Sequence, residues 1–251
     1  MTKSVTVIAH RGYSGKFPEN TLIAYQAAYA YGARWMECDI QLSQDLIPIV
    51  HHDENLMRMT GVDLDIRKTK TKELRKLSAY YPERFADEYI GNPLCELKEL
   101  SHWLKSHNDV TMFVEIKKHS LATFGIEHTM QAVYQAIKKV KKQCIIISFD
   151  PYVVAYAKEK YGLSNGWVIP EWTDAVEKRA QLMELNFLFS SKKIMPKDPS
   201  QWWQGQWHWA NYNVDTTEEM PQWIEKGLRF IETNEIADIL KQQNKERYAH
   251  G

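Results

Sequence analysis

The sequence predicts an α/β protein whose parallel strands close into a TIM-type (β/α)8 barrel, with a small insertion after the second barrel strand. Short runs rich in β-branched and aromatic residues alternate with longer amphipathic runs along the whole chain. The number of such strand–helix units is about eight, as a closed barrel requires. The length of 251 residues also suits one such barrel. An open doubly wound sheet is the competing topology for the same alternation.

The elements follow in order. Residues 5–10 (VTVIAH) form the first strand-like run, 21–31 the first helix-like run, and 34–40 (RWMECDI) the second strand. Residues 47–51 (IPIVH), placed after the turn-like Ser43-Gln44-Asp45, read as a hairpin partner of that strand. From Asp53 to about Asn108 the alternation lapses, apart from a helical stretch at 96–105. An insertion over the barrel mouth accounts for this better than a long structureless loop. Further strands are expected at 112–117, 145–149, 166–169, 187–190, 210–214 and 229–233, with helices at 126–139, 151–160, 174–184 and 217–225. There is no internal repeat, low-complexity tract or linker. The expectation is therefore a single domain over 1–251 with its insertion at about 53–108.

Composition narrows the functional classes. An apolar fraction of 44% and a charged fraction of 25% are ordinary for a globular protein. A formal net charge of +0 gives no long-range field toward nucleic acid or an anionic membrane, and no nucleic-acid-binding module is recognisable. An anionic substrate must then be held by local cations or a metal. Cys38, Cys95 and Cys144 make a poor disulfide framework and favour a reducing compartment. With no signal-like start and no long apolar run, the expectation is a cytoplasmic protein without stable membrane insertion. The sequence does not specify an oligomeric state.

Three strands carry ionisable residues where a barrel interior should be apolar. The first ends in His10, Arg11 and Gly12; the second contains Glu37 and Asp39; the third contains Glu115 and Lys117. Alternation puts Glu37 with Asp39, and Glu115 with Lys117, on one face, and turns Cys38 and Ile116 to the other. Burying these charges unpaired costs on the order of several kcal/mol each. Two arrangements relieve that cost. The carboxylates can pair with Arg11, Lys117 or Arg34 as internal salt bridges. Alternatively, three carboxylate oxygens can hold a hard divalent ion such as Mg2+ or Ca2+. The residues lie near the C-terminal strand ends, where barrel active sites form. Among nine histidines, His10 and His52 stand out, because each closes an apolar run beside these groups. Imidazoles there can serve as general base and general acid. His51 should point away from His52. His102, His107, His119, His128, His208 and His250 read as ordinary surface or core residues. Lys138–Lys142 reads as a solvated helix end, and Trp202, Trp203, Trp207 and Trp209 either line the mouth or pack the rim.

The run His10-Arg11-Gly12 followed by Pro18-Glu19-Asn20-Thr21 resembles the opening signature of the glycerophosphodiester phosphodiesterase family. Glu37-x-Asp39, the His52-Asp53 pair and Glu115-x-Lys117 resemble its remaining core motifs at suitable spacing, and Ser148-Phe149 extends the likeness toward the C-terminus. The resemblance implies a TIM barrel with a small insertion after its second strand. It implies hydrolysis of a small-molecule glycerophosphodiester to glycerol 3-phosphate and an alcohol, with one divalent cation, Mg2+ or Ca2+. On this likeness Glu37, Asp39 and Glu115 are the metal ligands and His10 and His52 the acid/base pair, with His52 favoured as proton donor. Arg11 and Lys117 are phosphate contacts, and Phe149 and Tyr212 further substrate contacts. Two departures stand out: Tyr212-Asn213-Val214-Asp215 replaces a Trp-Thr-Val-Asn-like run, and Thr233-Asn234 replaces Thr-Asp. Two other functions compete. A lysophospholipase D-like lipid phosphodiesterase sits poorly with an insertion in which Tyr80, Tyr81, Phe85 and Tyr89 lie among many charges. A non-catalytic phosphate-binding barrel would have no use for two histidines.

Overall fold

The computed structural model of the chain describes residues 5–249, with side chains described to residue 243; His250 lies outside the described residues. Nine strands form one sheet: β1 (Thr6–Ala9), β2 (Trp35–Leu42), β3 (Pro48–Val50), β4 (Thr111–Ile116), β5 (Cys144–Ser148), β6 (Ser164–Val168), β7 (Phe187–Ser191), β8 (His208–Tyr212) and β9 (Phe230–Thr233). The strand order is β1-β9-β8-β7-β6-β5-β4-β2-β3, and β1 also pairs with β2 in parallel, which closes the sheet. Eight strands run parallel round the barrel. β3 alone is antiparallel, folded back on β2 with Ile40 opposite Val50, as the turn at Ser43–Asp45 predicts. The open doubly wound alternative is excluded by the β1–β2 closure.

Helices cover the outer face of the barrel, except that a short 3-10 turn at Pro199–Gln201 and the buried Trp202, Trp203 and Trp207 stand between β7 and β8. The strands are therefore largely apolar on both sides and read as near-continuous apolar runs. Val7, Met36, Cys38, Val114, Ile116, Ile146 and Leu188 face outward into one continuous core shared with the helices. Inside the barrel, Ile8, Phe113, Ile145, Ile147, Val168, Phe187, Phe189 and Ala210 form a second, smaller core. Its lower part is an aromatic floor at the strand N-termini. Trp35 packs within 5.2 Å of Phe230 and 5.7 Å of Phe113, and Phe187 sits 5.0 Å from Phe113 between ring centroids.

The helices follow local signals. Thr21 caps Leu22–Ala30 by accepting the Ala24 N–H, and Asp150 caps Pro151–Tyr161 through the Tyr152 and Val153 N–H groups. One helix differs from expectation: it spans Lys118–Ile137, beginning earlier than 126, and Gly125 interrupts it at φ 76°. Two turns of helix thus precede a glycine that sequence periodicity treats as the boundary. Between β3 and β4, short helices at Met57–Thr60, Thr71–Leu74 and Pro82–Phe85 gather around a small core of Ile49, Leu56, Ile66, Leu74, Ala79 and Leu94. Leu97–Lys105 then returns to the barrel wall, burying Leu97, Leu100 and Leu104 in the main core. The segment leans on the loop after β1: Arg84 donates to the Ser14 and Gly15 carbonyls, and Tyr89 to that of Lys16.

Trp202, Trp203 and Trp207 are buried in the outer layer, and Trp203 packs 4.2 Å from Trp172. They pack the rim rather than line the mouth. The three cysteines are buried and unpaired. Among the described residues, no helix is long and apolar enough to cross a membrane.

Candidate active site

The C-terminal ends of β1, β2, β4 and β9 bring a dense charged cluster to the barrel mouth. Asp39 stands opposite Glu115 in the β2–β4 register, and Ile8 stands opposite Glu232 across β1–β9. The chain leaves β1 through His10 and Arg11, then turns at Gly12 with φ 80°. A Cβ on Gly12 would lie 2.7 Å from the Ala24 carbonyl carbon, so only glycine lets this loop rest on the following helix. That contact seats Arg11 and the Pro18–Thr21 turn over the barrel.

Asp39 is the hub. Its Oδ2 lies 3.0 Å from Arg11 Nε and accepts from Asn20 Nδ2 at 2.8 Å, while Oδ1 accepts from Lys117 Nζ at 3.1 Å. Asn20 also accepts from the Asp39 N–H and from Tyr25 Oη, which fixes its amide. Burial would raise the Asp39 pKa, but Arg11 and Lys117 prevail and hold it well below the carboxylate range. Lys117 donates to Glu115 Oε1 at 2.8 Å as well. Burial would lower its pKa, yet Asp39 and Glu115 keep it above the ordinary lysine value. The chain of pairs continues outward. Arg11 donates to Glu19 at 2.8 Å, Arg58 donates to Glu19 at 2.7 Å and to Asp53 at 2.6 Å, and His52 Nδ1 meets Asp53 at 2.6 Å. Burial would raise Glu19, but Arg11 and Arg58 bring it down to about 2.

The internal salt bridges anticipated for Asp39 and Glu115 therefore exist, whereas Arg34 pairs with Asp109 instead. Glu37 has no such cation. Its Oε2 accepts only the Arg11 backbone N–H at 3.2 Å, and its Oε1 is buried without a partner. Burial, then Asp39 and Glu232, push its pKa well above the usual range.

Sequence reasoning missed Glu232. It lies at the inward-facing position of β9, and its buried Oε1 also lacks a partner. Burial and Glu115 raise its pKa to about 8. The signal was available, since the rule that singles out Glu37 and Asp39, a charge on an inward strand position near the C-terminal end, applies equally to Phe230-Ile231-Glu232-Thr233.

The two histidines are held differently. Asn234 Nδ2 donates to Asp215 Oδ2 at 3.0 Å, so Asn234 Oδ1 must accept, and His10 Nδ1 donates to it at 2.9 Å. The Nε2 lone pair of His10 then faces inward, 3.9 Å from Glu37. Burial, and next Arg11, lower the His10 pKa to about 4. His52 instead gives its Nδ1 proton to the carboxylate of Asp53. His51 is buried and turned to the Asn55 carbonyl, as strand alternation predicts. His52, Asp53, Glu54, Glu115, Lys117, Lys118, His119 and Phe149 line a mouth cavity of about 390 Å³. Tyr212 packs beside the inner core, its pKa pushed up to about 12 by burial and by Glu115. All nine sequence-predicted site residues thus gather at one end of the barrel.

The donor atoms fit a cation. Carboxylate oxygens of Glu37, Asp39 and Glu115 lie within 4.8 Å of one another, and the same holds for His10, Glu37 and Glu232. Two orphaned oxygens among them are hard donors suited to a divalent ion.

Fold and site together define a barrel enzyme with an acidic centre flanked by histidines. The sequence pattern of the glycerophosphoryl diester phosphodiesterase family matches residues 10–189. A glycerophosphodiester phosphodiesterase of Caldanaerobacter subterraneus subsp. tengcongensis is 30% identical over 243 residues, 93% of this chain and 96% of that protein. Glycerophosphodiester phosphodiesterase 1 of Bos taurus is 30% identical over 150 residues, 60% of this chain but only 44% of that protein. An Oleispira antarctica phosphodiesterase, solved with sn-glycerol-3-phosphate, superposes with a TM-score of 0.86 at 24% identity, covering 95% of this chain and 96% of that one. The chain belongs to the glycerophosphoryl diester phosphodiesterase family and is an enzyme of that kind.

Proposed function

We propose that the chain is a single barrel domain that hydrolyses glycerophosphodiesters to glycerol 3-phosphate and an alcohol, using one divalent cation and a histidine acid/base pair. The observation that carries this is the pair His10 and His52, each pinned through Nδ1 so that Nε2 is left for proton transfer beside the carboxylate cluster. The product bound to the Oleispira neighbour is consistent with the same substrate class.

Glu37, Asp39 and Glu115 would hold the cation, Mg2+ or Ca2+, which when bound supplies Lewis-acid stabilisation to a phosphate oxygen. Arg11 and Lys117, already fixed by Asp39, offset the charge that grows on the phosphoryl oxygens. His10 is kept neutral by burial and by Arg11, and its inward lone pair can take a proton from the nucleophile, either water or the neighbouring glycerol hydroxyl, the latter forming a cyclic phosphate that water then opens to glycerol 3-phosphate. His52 gives a proton to the departing alkoxide. Its ring is held at Nδ1 by a carboxylate, whereas that of His10 is held by an amide. Phe149 and Tyr212 bound the space for the substrate. The three free, buried cysteines support a reducing, cytoplasmic setting.

The test is glycerol 3-phosphate release from glycerophosphocholine by purified protein, after chelation and then with Mg2+ or Ca2+ restored. Release that returns only with the ion is the expected result. Release unaffected by chelation would overturn the metal assignment. No release from this or related glycerophosphodiesters would favour the lipid-substrate or binding-only alternatives.

A further inference from the structure

Glu232 has no role in the reaction as laid out above, yet its surroundings demand one. It is 4% exposed, its Oε1 has no hydrogen-bond partner, and no ion pair among the described residues includes it. Its acidic neighbours differ in this respect. Glu19 has Arg11 and Arg58, Asp53 has Arg58, Asp39 has Arg11 and Lys117, and Glu115 has Lys117. Among the described inward-facing carboxylates of the barrel, Glu37 and Glu232 alone are left without a cationic side chain. Those two are adjacent, with carboxylate oxygens and a His10 ring nitrogen all within 4.8 Å of one another. Two adjacent buried carboxyl groups without a cationic partner cannot both stay ionised: they hold protons or share a cation.

We infer that Glu232 is a fourth carboxylate of the cation centre, joining Glu37, Asp39 and Glu115 as a direct ligand. The inference rests on the metal reading above and extends its ligand set. Lys117 already serves Asp39 and Glu115, so the carboxyl groups left without a cationic partner lie toward β1 and β9, on Glu37 and Glu232. Glu37 belongs to both groups of convergent donors, which makes it the common edge of the site. A ligand on β9 also ties the last barrel strand to β2 and β4 through the ion, across the β1–β9 and β1–β2 pairings that close the barrel.

The probe is Mn2+, titrated into the chelator-stripped full chain and followed by electron paramagnetic resonance, with inner-sphere waters counted by proton relaxation. Wild type, Glu232→Gln and Glu232→Ala are compared. Neither variant adds a charge to the metal-free barrel, and a melt in chelator confirms that each is folded. The expected result is a Kd at least about tenfold weaker in each variant. In Glu232→Ala the bound ion should also gain one water where the carboxylate was. A weaker Kd with unchanged hydration would mean that Glu232 acts only through its field, and would overturn the inference. An unchanged Kd would overturn it as well. Wild type that binds no Mn2+ would instead refute the metal reading on which it stands.

Discussion

At the scale of single residues, the site sorts its two imidazoles by what each Nδ1 touches. His10 is held by a neutral amide in a buried setting beside Arg11, and His52 by a carboxylate. Replacing either histidine with alanine should cost at least about a hundredfold in turnover at saturating metal and substrate. Near wild-type turnover would sink the acid/base assignment. Asn234→Ala should free the His10 ring while leaving its chemistry intact, giving a fall in kcat of about ten- to a hundredfold with little change in KM. A pure KM effect would show that Asn234 holds substrate instead. Glu19 gives a pH prediction. Its folded pKa of about 2 lies below the ordinary 4.5, so it contributes stability that is present above about pH 4.5 and lost as pH falls toward 2. The shift is worth on the order of 3 kcal/mol. Glu19→Gln should therefore flatten the acid limb of the stability curve in that window; parallel limbs would refute the coupling. Much of this cluster was legible beforehand, because Glu37, Asp39, Glu115 and Lys117 interrupt apolar runs where a charge is conspicuous. The role of Glu232 was not, since its meaning depends on the pairing of β9 with β1, which places it against Glu37 and His10 from the far end of the chain.

At the scale of elements, the barrel strands were readable to within about two residues, because burial on both faces leaves short unbroken apolar runs. The β3 hairpin was readable from its turn. Of the β3–β4 segment only the helix at Leu97–Lys105 was readable, because the short helical turns and isolated bridges before it have no period for sequence to display. The helix starting at Lys118 was missed for a related reason: Gly125 at φ 76° lies within it, and a glycine at that spacing looks like an end. β6 offers a clean test of inner packing. A Cβ on Gly166 would lie 2.9 Å from Phe187 Cβ and 3.1 Å from Ile147 Cγ2. Gly166→Ala should cost about 1–3 kcal/mol and lower the melting temperature by roughly 2–10 °C. An unchanged melt would show that the inner layer yields more readily than its contacts imply.

At the scale of the whole molecule, the proposed cation ligation would couple to stability through the acidic centre. Glu232 has a folded pKa of about 8, above its unfolded value, so the metal-free fold keeps a proton that the unfolded chain releases. Stability of the metal-free protein from this group should therefore fall as pH rises from about 4.5 to about 8. On the proposed ligand set, a cation that replaces the proton would recover the loss. The rise in melting temperature on adding Ca2+ or Mg2+ to stripped protein should accordingly be larger at pH 8 than at pH 5.5, and equal rises would contradict the linkage. The aromatic floor has a separate consequence. Trp35, Phe113, Phe187 and Phe230 stop the barrel at the strand N-termini, beneath the charged layer. Traffic therefore uses one doorway in both directions. Whichever product lies deeper must leave second, and while it stays it blocks the next substrate, so the reaction should be slowed competitively by its own last-leaving product.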